Sequence, residues 1–377
     1  MTERHLDYID NIRILLTAVV LMNHLSITYG APGGWYYTEF ETTQLSIIPM
    51  AVLVMFAAAN QAYSMGFFFF ISGYFSARSI SHRNSQTFLS QRLVRLGIPI
   101  LLFVYVISPI LQLSFRWVIY DILPGFESVV YTYKQIEFGR DLGPMWFIML
   151  LLIFSILLIV FQNNLIKFSS RIKIPYRYIT LLAAFIVGFL TFLVRVQLPV
   201  GTVYKPLNLQ IPHLVQYIFM FFIGALSYSA GWEKNTTSIS LKFWFPFTIG
   251  LIITMPIIFY LVGGASGNVT SALGGFTWQS LVFSLWEMIF CVSMTATLLG
   301  FFSKFFDKGN KITRELASSS YATYIFHPLI LVIFTALLQE FQIPPLLKIT
   351  YLAFPTLVVC FFTASLLRRL PGLNSIL

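Results

Sequence analysis

Arg13 and His24 stand eleven residues apart in the first apolar stretch, DNIRILLTAVVLMNHLSI. At about 100° per residue, eleven helical steps end roughly 20° from where they began. The two side chains therefore share one face, about 16 Å apart along the axis. Asp10 stands one turn before Arg13 on nearly the same side. The stripe runs from an acid–base pair to a deep imidazole, and a histidine can take up a proton at neutral pH without a large shift. The competing reading is a histidine satisfied by a neighbouring helix, with Arg13 reaching lipid phosphates. A second polar series is Tyr321, Tyr324 and His327, at three-residue steps. Pro328 loosens the helix there and frees a carbonyl that His327 or a ligand could meet. Glu287, beside Trp286, is a carboxylate in the middle of an apolar segment. Either it is neutral or it pairs with a buried cation or histidine. In the second case it could hold an imidazole's tautomer, as the acid of a triad does, or carry protons.

These side chains need elements to position them, and the composition says which. The chain has 377 residues, 57% hydrophobic and 10% charged, with 39 Phe. A soluble domain is about 25% charged, so a soluble globular, disordered or collagen-like protein is excluded. Apolar runs of about the roughly 20 residues that span a bilayer recur at 11–29, 60–77, 96–115, 143–161, 178–194, 213–230, 244–262, 278–302, 319–338 and 349–367. Lipid offers the backbone no hydrogen bonds, so helix is the form these runs must take. The expected fold is all-α: one polytopic membrane bundle of ten transmembrane helices over residues 1–377, without a soluble extracytoplasmic domain. Glu3, Asp7 and Asp10 in the leader argue that the first span stays as a helix and is not cleaved as a signal peptide. Residues 45–77 are apolar but lead into an Arg-rich loop at 78–95. We expect one crossing there, with 45–59 re-entrant or peripheral and a break at Asn60 and Gln61.

The net charge of +10 is a label of orientation. With both termini cytoplasmic, the inner segments hold 18 of the 24 Lys and Arg residues and the outer segments 6, the positive-inside pattern. This argues against a nucleic-acid partner. Cys291 and Cys360 lie in separate apolar stretches and read as buried small hydrophobes, without a disulfide framework or a metal signature. No GxxxxGK[ST], HExxH or GxSxG motif is present.

Arg, ten residues, then His in the first helix resembles the membrane acyltransferase-3 family. FFFFISGYF (67–75), FLSQRLVRLGIPI (88–100), GPMWFIMLLLIF (143–154) and YATYIFHPLI (321–330) resemble its later helix motifs, in the family's order over nearly the whole chain. The nearest likeness is to the branch that succinylates periplasmic glucans. The resemblance implies a cell-membrane (plasma or inner membrane) enzyme with acyl-CoA as donor and no bound cofactor or metal. It would move an acetyl or succinyl group to a hydroxyl of a glycan or lipid-linked sugar. His24 would be the base and Arg13 its partner, with Asp10, Glu287, Tyr324, His327 and Trp146 lining the site. Arg78, Arg92 and Arg95 suit the phosphates of the donor, although topology alone would also place them there. Two other readings are a proton-coupled secondary transporter with His24, Glu287 and His327 as relay, and a non-catalytic membrane scaffold. No inverted repeat of the kind common in transporters is evident.

Overall fold

The computed structural model describes residues 5–169, 177–232, 239–264 and 269–376. Four of the basic residues counted above, Arg4, Arg171, Lys173 and Lys234, lie outside that set. Among the described residues, ten helices are long and apolar enough to cross a bilayer: α1 Asp7–Thr28, α2 Ile47–Ser81, α3 Ser85–Tyr120, α4 Gly143–Leu165, α5 Arg177–Gln197, α6 Ile211–Ser229, α7 Leu241–Leu261, α8 Trp278–Phe305, α9 Lys311–Ala336 and α10 Pro345–Arg368. They fall on the ten expected runs. The protein is a multi-pass, all-α membrane protein.

At the face where α1 begins, short connections at 82–84 and 306–310 join α2 to α3 and α8 to α9. The opposite face carries the longer connections, including the loop between α1 and α2, the helix Phe126–Lys134, and a two-residue antiparallel pairing of Val203–Tyr204 with Leu209–Gln210. α2 and α6 lie together along their lengths. A Cβ on Gly73 would strike the Phe221 carbonyl, and one on Gly224 the Phe70 carbonyl. Glycine at both points lets two backbones touch, which is how helices gain contact in a medium as apolar as their own side chains. α7 and α10 lie at the periphery, with Ile253, Ile257, Phe354 and Phe362 exposed toward the lipid.

Two expectations are corrected. α2 is one unbroken helix of 35 residues, about 52 Å long at 1.5 Å per residue. Residues 47–59 are its first turns, neither re-entrant nor separate. Asn60 and Gln61 do not break it, since neither removes a backbone donor: the Asn60 main-chain carbonyl accepts from Ser64 Oγ at 2.7 Å, and Gln61 Nε2 donates to the Tyr217 hydroxyl on α6 at 2.9 Å. The Arg-rich segment 78–95 is also mostly helical. α2 runs to Ser81 and α3 starts at Ser85, capped by Asn84 Oδ1 accepting from Thr87 N at 2.7 Å, so Arg92 and Arg95 stand on a helix.

α3 widens to π-helical turns at Leu93–Gly97 and Phe103–Ile107, just before Pro99 and Pro109. A proline has no N–H and its ring crowds the carbonyl four residues back; a wider turn relieves the crowding and leaves that carbonyl unpaired. Each freed carbonyl finds a tyrosine. Arg95 O accepts from the Tyr321 hydroxyl of α9 at 2.7 Å, and Tyr105 O accepts from the Tyr133 hydroxyl at 3.2 Å.

Candidate active site

The same proline logic builds the site. Pro328 lies inside α9 and frees the carbonyl of Tyr324; His327 Nδ1 donates to it at 2.7 Å. The freed carbonyl anticipated from the sequence is thus met by His327 itself. The bond fixes the tautomer, so Nε2 carries the lone pair, and Nε2 is buried without a partner. The Tyr324 hydroxyl donates to the Pro144 carbonyl at the start of α4. That bond ties α9 to the turn Gly143–Met145.

His24 meets this assembly from α1. Its ring stacks on that of His327 with centroids 5.1 Å apart, and its Nδ1 is also buried without a partner. A third ring completes the group. Trp35, from the loop between α1 and α2, stacks on His24 at 3.9 Å and 16° and lies 5.8 Å from His327. The three rings are nearly parallel and form a triangle, so stacking covers imidazole faces while the in-plane nitrogens stay open. Tyr36 meets Trp35 edge to face at 5.3 Å, and its buried hydroxyl is unpartnered. That hydroxyl occupies the place a Cβ would take at Gly143, where φ is +47°. Only glycine suits both the left-handed backbone and the approach. Asn208 Nδ2 fixes the turn by donating to Gly143 O at 3.0 Å.

The loop is anchored to the bundle. Glu39 N donates to Thr28 O at 2.7 Å, and Thr42 Oγ1 to Gly30 O at 2.8 Å. Lys348 of α10 is 2% exposed; its Nζ donates to Glu39 Oε1 at 2.7 Å and to Phe341 O at 2.9 Å, over the ring of Tyr29. Burial and the Glu39 carboxylate push the Tyr37 phenol up to about 12, and burial and Asp141 push the Tyr36 phenol up. Both stay protonated, as donors, at neutral pH.

Arg13 is half-buried and pairs with Asp10 at 3.1 Å, as expected, on the His24 face but about three turns away. Arg92 donates to Ser76 Oγ at 3.0 Å and lies over the Phe88 ring, while Arg95 is exposed on the same segment and Arg78 ends α2. All three stand toward the face where α1 begins. Trp146 stacks on Tyr217 at 5.6 Å, and Tyr217 in turn stacks on His213 at 6.0 Å. Asp141, at the entrance to α4, accepts from Ser108, Gln112, Arg140 and the Glu137 amide, and so serves as a knot of the fold.

Glu287 belongs to another cluster. Its Oε2 lies 2.5 Å from Arg195 and its Oε1 3.0 Å from His213 Nδ1. Arg195 is 0%, His213 3% and Glu287 3% exposed. Arg195 also donates to Pro212 O at 3.3 Å and Ser284 Oγ at 3.2 Å, pinning α5, α6 and α8 together. The sequence does not single out Arg195 or His213, yet both are buried partners of the intramembrane carboxylate. The signal was Glu287 itself, since an acid at that depth requires a cation, and Arg195 directly follows an apolar run. Trp35, Tyr36, Glu39 and Lys348 were passed over too. Their only trace was an aromatic run beside the chemistry-bearing helix and opposite charges in distant segments.

Ten apolar helices among the described residues, with two buried imidazoles between them, define a multi-pass membrane protein. Residues 6–365 match the family model described as "Acyltransferase domain". The chain belongs to the acyltransferase-3 family and is an acyltransferase. Comparison with curated proteins and with solved structures gave no match.

Proposed function

We propose that the protein is a cell-membrane O-acyltransferase that moves an acetyl or succinyl group from cytoplasmic acyl-CoA to a hydroxyl of a glycan or lipid-linked sugar. The observation that carries this reading is the buried pair His24 and His327, each with an unpartnered ring nitrogen. A sugar hydroxyl is a poor nucleophile until its proton is removed, and a positioned imidazole removes it. His24 is the base, and His327, locked through Tyr324 O, packs beside it and holds it in place. The basic face of α1–α3 is the cytoplasmic one. There Arg78, Arg92 and Arg95 offer charge to the donor's phosphates. The face shared by Arg13 and His24, about 16 Å long, suits a pantetheine arm threading from that surface, with Arg13 positioning it.

The test uses purified protein with labelled acetyl-CoA or succinyl-CoA and sugar acceptors. Transfer or thioester hydrolysis that falls 10²–10⁴-fold in His24→Ala supports the reading. Pure, folded protein giving neither reaction with either donor would sink it.

A further inference from the structure

The Trp35 indole N–H and the Tyr36 hydroxyl are buried and make no hydrogen bond among the described residues. Trp35 stacks on His24, and Tyr36 meets Trp35 edge to face, one ring further on. An unmet buried donor is costly, so two on adjacent residues need a reason. Packing does not supply one. A phenylalanine would stack on His24 as well as Trp35 does, and would fill the space of the Tyr36 ring. Instead both residues hold unmet donors beside the stacked imidazoles. The Tyr324 hydroxyl is committed to Pro144 O, and Asn23 presents an unpartnered acceptor, Oδ1. Arg13 stands about 16 Å away. The anchoring of the loop by Glu39, Lys348, Thr28 and Thr42 holds the two donors in a fixed position, and fixed donors stabilise charge without reorganising.

On the acyl-transfer reading given above, we propose that Trp35 Nε1–H and Tyr36 O–H are the oxyanion donors of the reaction. The acceptor hydroxyl oxygen bonds to the thioester carbonyl carbon as its proton passes to the open ring nitrogen of His24. The carbonyl π pair moves onto oxygen, and the resulting oxyanion is received by Trp35 and Tyr36. Collapse re-forms the carbonyl and breaks the C–S bond. The CoA thiolate leaves with the proton from the His24 imidazolium, which returns the ring to neutral. The sequence needs no oxidant, metal or further reactant. The connection between α1 and α2 is thereby part of the catalytic machinery.

Trp35→Phe and Tyr36→Phe keep an aromatic ring at each position and delete one donor each. The assay is steady-state turnover of acyl-CoA by purified protein, with His24→Ala alongside and binding of free CoA measured separately. Each Phe variant should lower kcat about 100-fold. KM, CoA affinity and the pH midpoint of kcat should be unchanged, because binding and the base are intact. If both variants keep kcat within about threefold of a wild type whose activity depends on His24, the oxyanion assignment is overturned and the reading of His24 stands. A fall in kcat accompanied by an equal loss of CoA affinity or thermal stability marks the rings as packing and also overturns it. A wild type without His24-dependent turnover overturns both.

Discussion

Replacing Glu287 tests whether the Arg195–Glu287–His213 cluster is a staple of the bundle. Arg195 is fully buried, so deleting its counter-ion leaves a cation with only neutral company: Pro212 O, Ser284 Oγ, His213 Nδ1 at 3.0 Å and the face of Phe283. Breaking a buried pair by removing one partner costs about 3–5 kcal/mol. Glu287→Gln keeps an acceptor oxygen in place and should fall at the lower end, about 3 kcal/mol. Glu287→Leu removes charge and acceptors together and should approach 5 kcal/mol. Arg195→Met with Glu287→Leu removes both charges, and should recover all but about 1–2 kcal/mol for the polar groups left at Pro212, Ser284 and His213. Unfolding can be followed through the protein's own thiols. Cys291 and Cys360 are both buried, on α8 and α10. A fluorogenic maleimide in detergent, across a titration with denaturing detergent, reads their exposure and gives the stability of each variant. Glu287→Gln within about 1 kcal/mol of wild type would refute the argument, as would a double variant no more stable than Glu287→Leu.

Three further outcomes follow from the same physics. Glu39→Gln removes the charge that Lys348 meets in a buried setting; amide exchange across residues 29–46 should rise about 100-fold, the equivalent of ~3 kcal/mol of local stability, with the helices unaffected. Unchanged exchange would show that the ion pair does not hold the loop. Tyr321→Phe strands the Arg95 carbonyl and should lower stability by about 1–3 kcal/mol, measured by the same thiol titration; no loss would mean water satisfies that carbonyl. Gln86→Cys and Gly34→Cys place thiols on opposite faces, and both positions are exposed. In intact cells an impermeant thiol reagent should label Cys at 34 and spare Cys at 86, and the reverse pattern would invert the proposed topology.

The ten helices were legible because each run of apolar residues has one solution in lipid. The elements misread were those where a local polar signal competes with helix propagation. Asn60 and Gln61 looked like a break, yet without Pro or Gly at that point nothing stops the backbone: the Asn60 main-chain carbonyl accepts from the Ser64 hydroxyl, and the Gln61 side chain donates to the Tyr217 hydroxyl. The deep side of the site was readable too. His24 and His327 stand out as imidazoles in apolar helices, and the effect of Pro328 follows from covalent structure alone. Trp35 and Tyr36 were not readable because their role depends on where a loop folds. That fold is set by Glu39 meeting Lys348 across 309 positions of chain, a pairing with no periodicity to betray it. Glu287 was recognisable as a group needing a partner, but Arg195 and His213 come from helix ends that a hydropathy pattern assigns to water.

The three prolines with rescued carbonyls also bear on how such a chain can change over time. Pro99 is matched by Tyr321, Pro109 by Tyr133 and Pro328 by His327, and in the first two the partners come from separate elements. Losing the proline restores the backbone bond and strands a hydroxyl; losing the tyrosine strands a carbonyl. Neither single step is neutral, whereas the paired replacement is close to it. Among sequences descended from a common ancestor, positions 99 and 321, and positions 109 and 133, should therefore change together. At 328 and 327 the linkage is tighter, because releasing that proline also releases the tautomer of the imidazole beside His24.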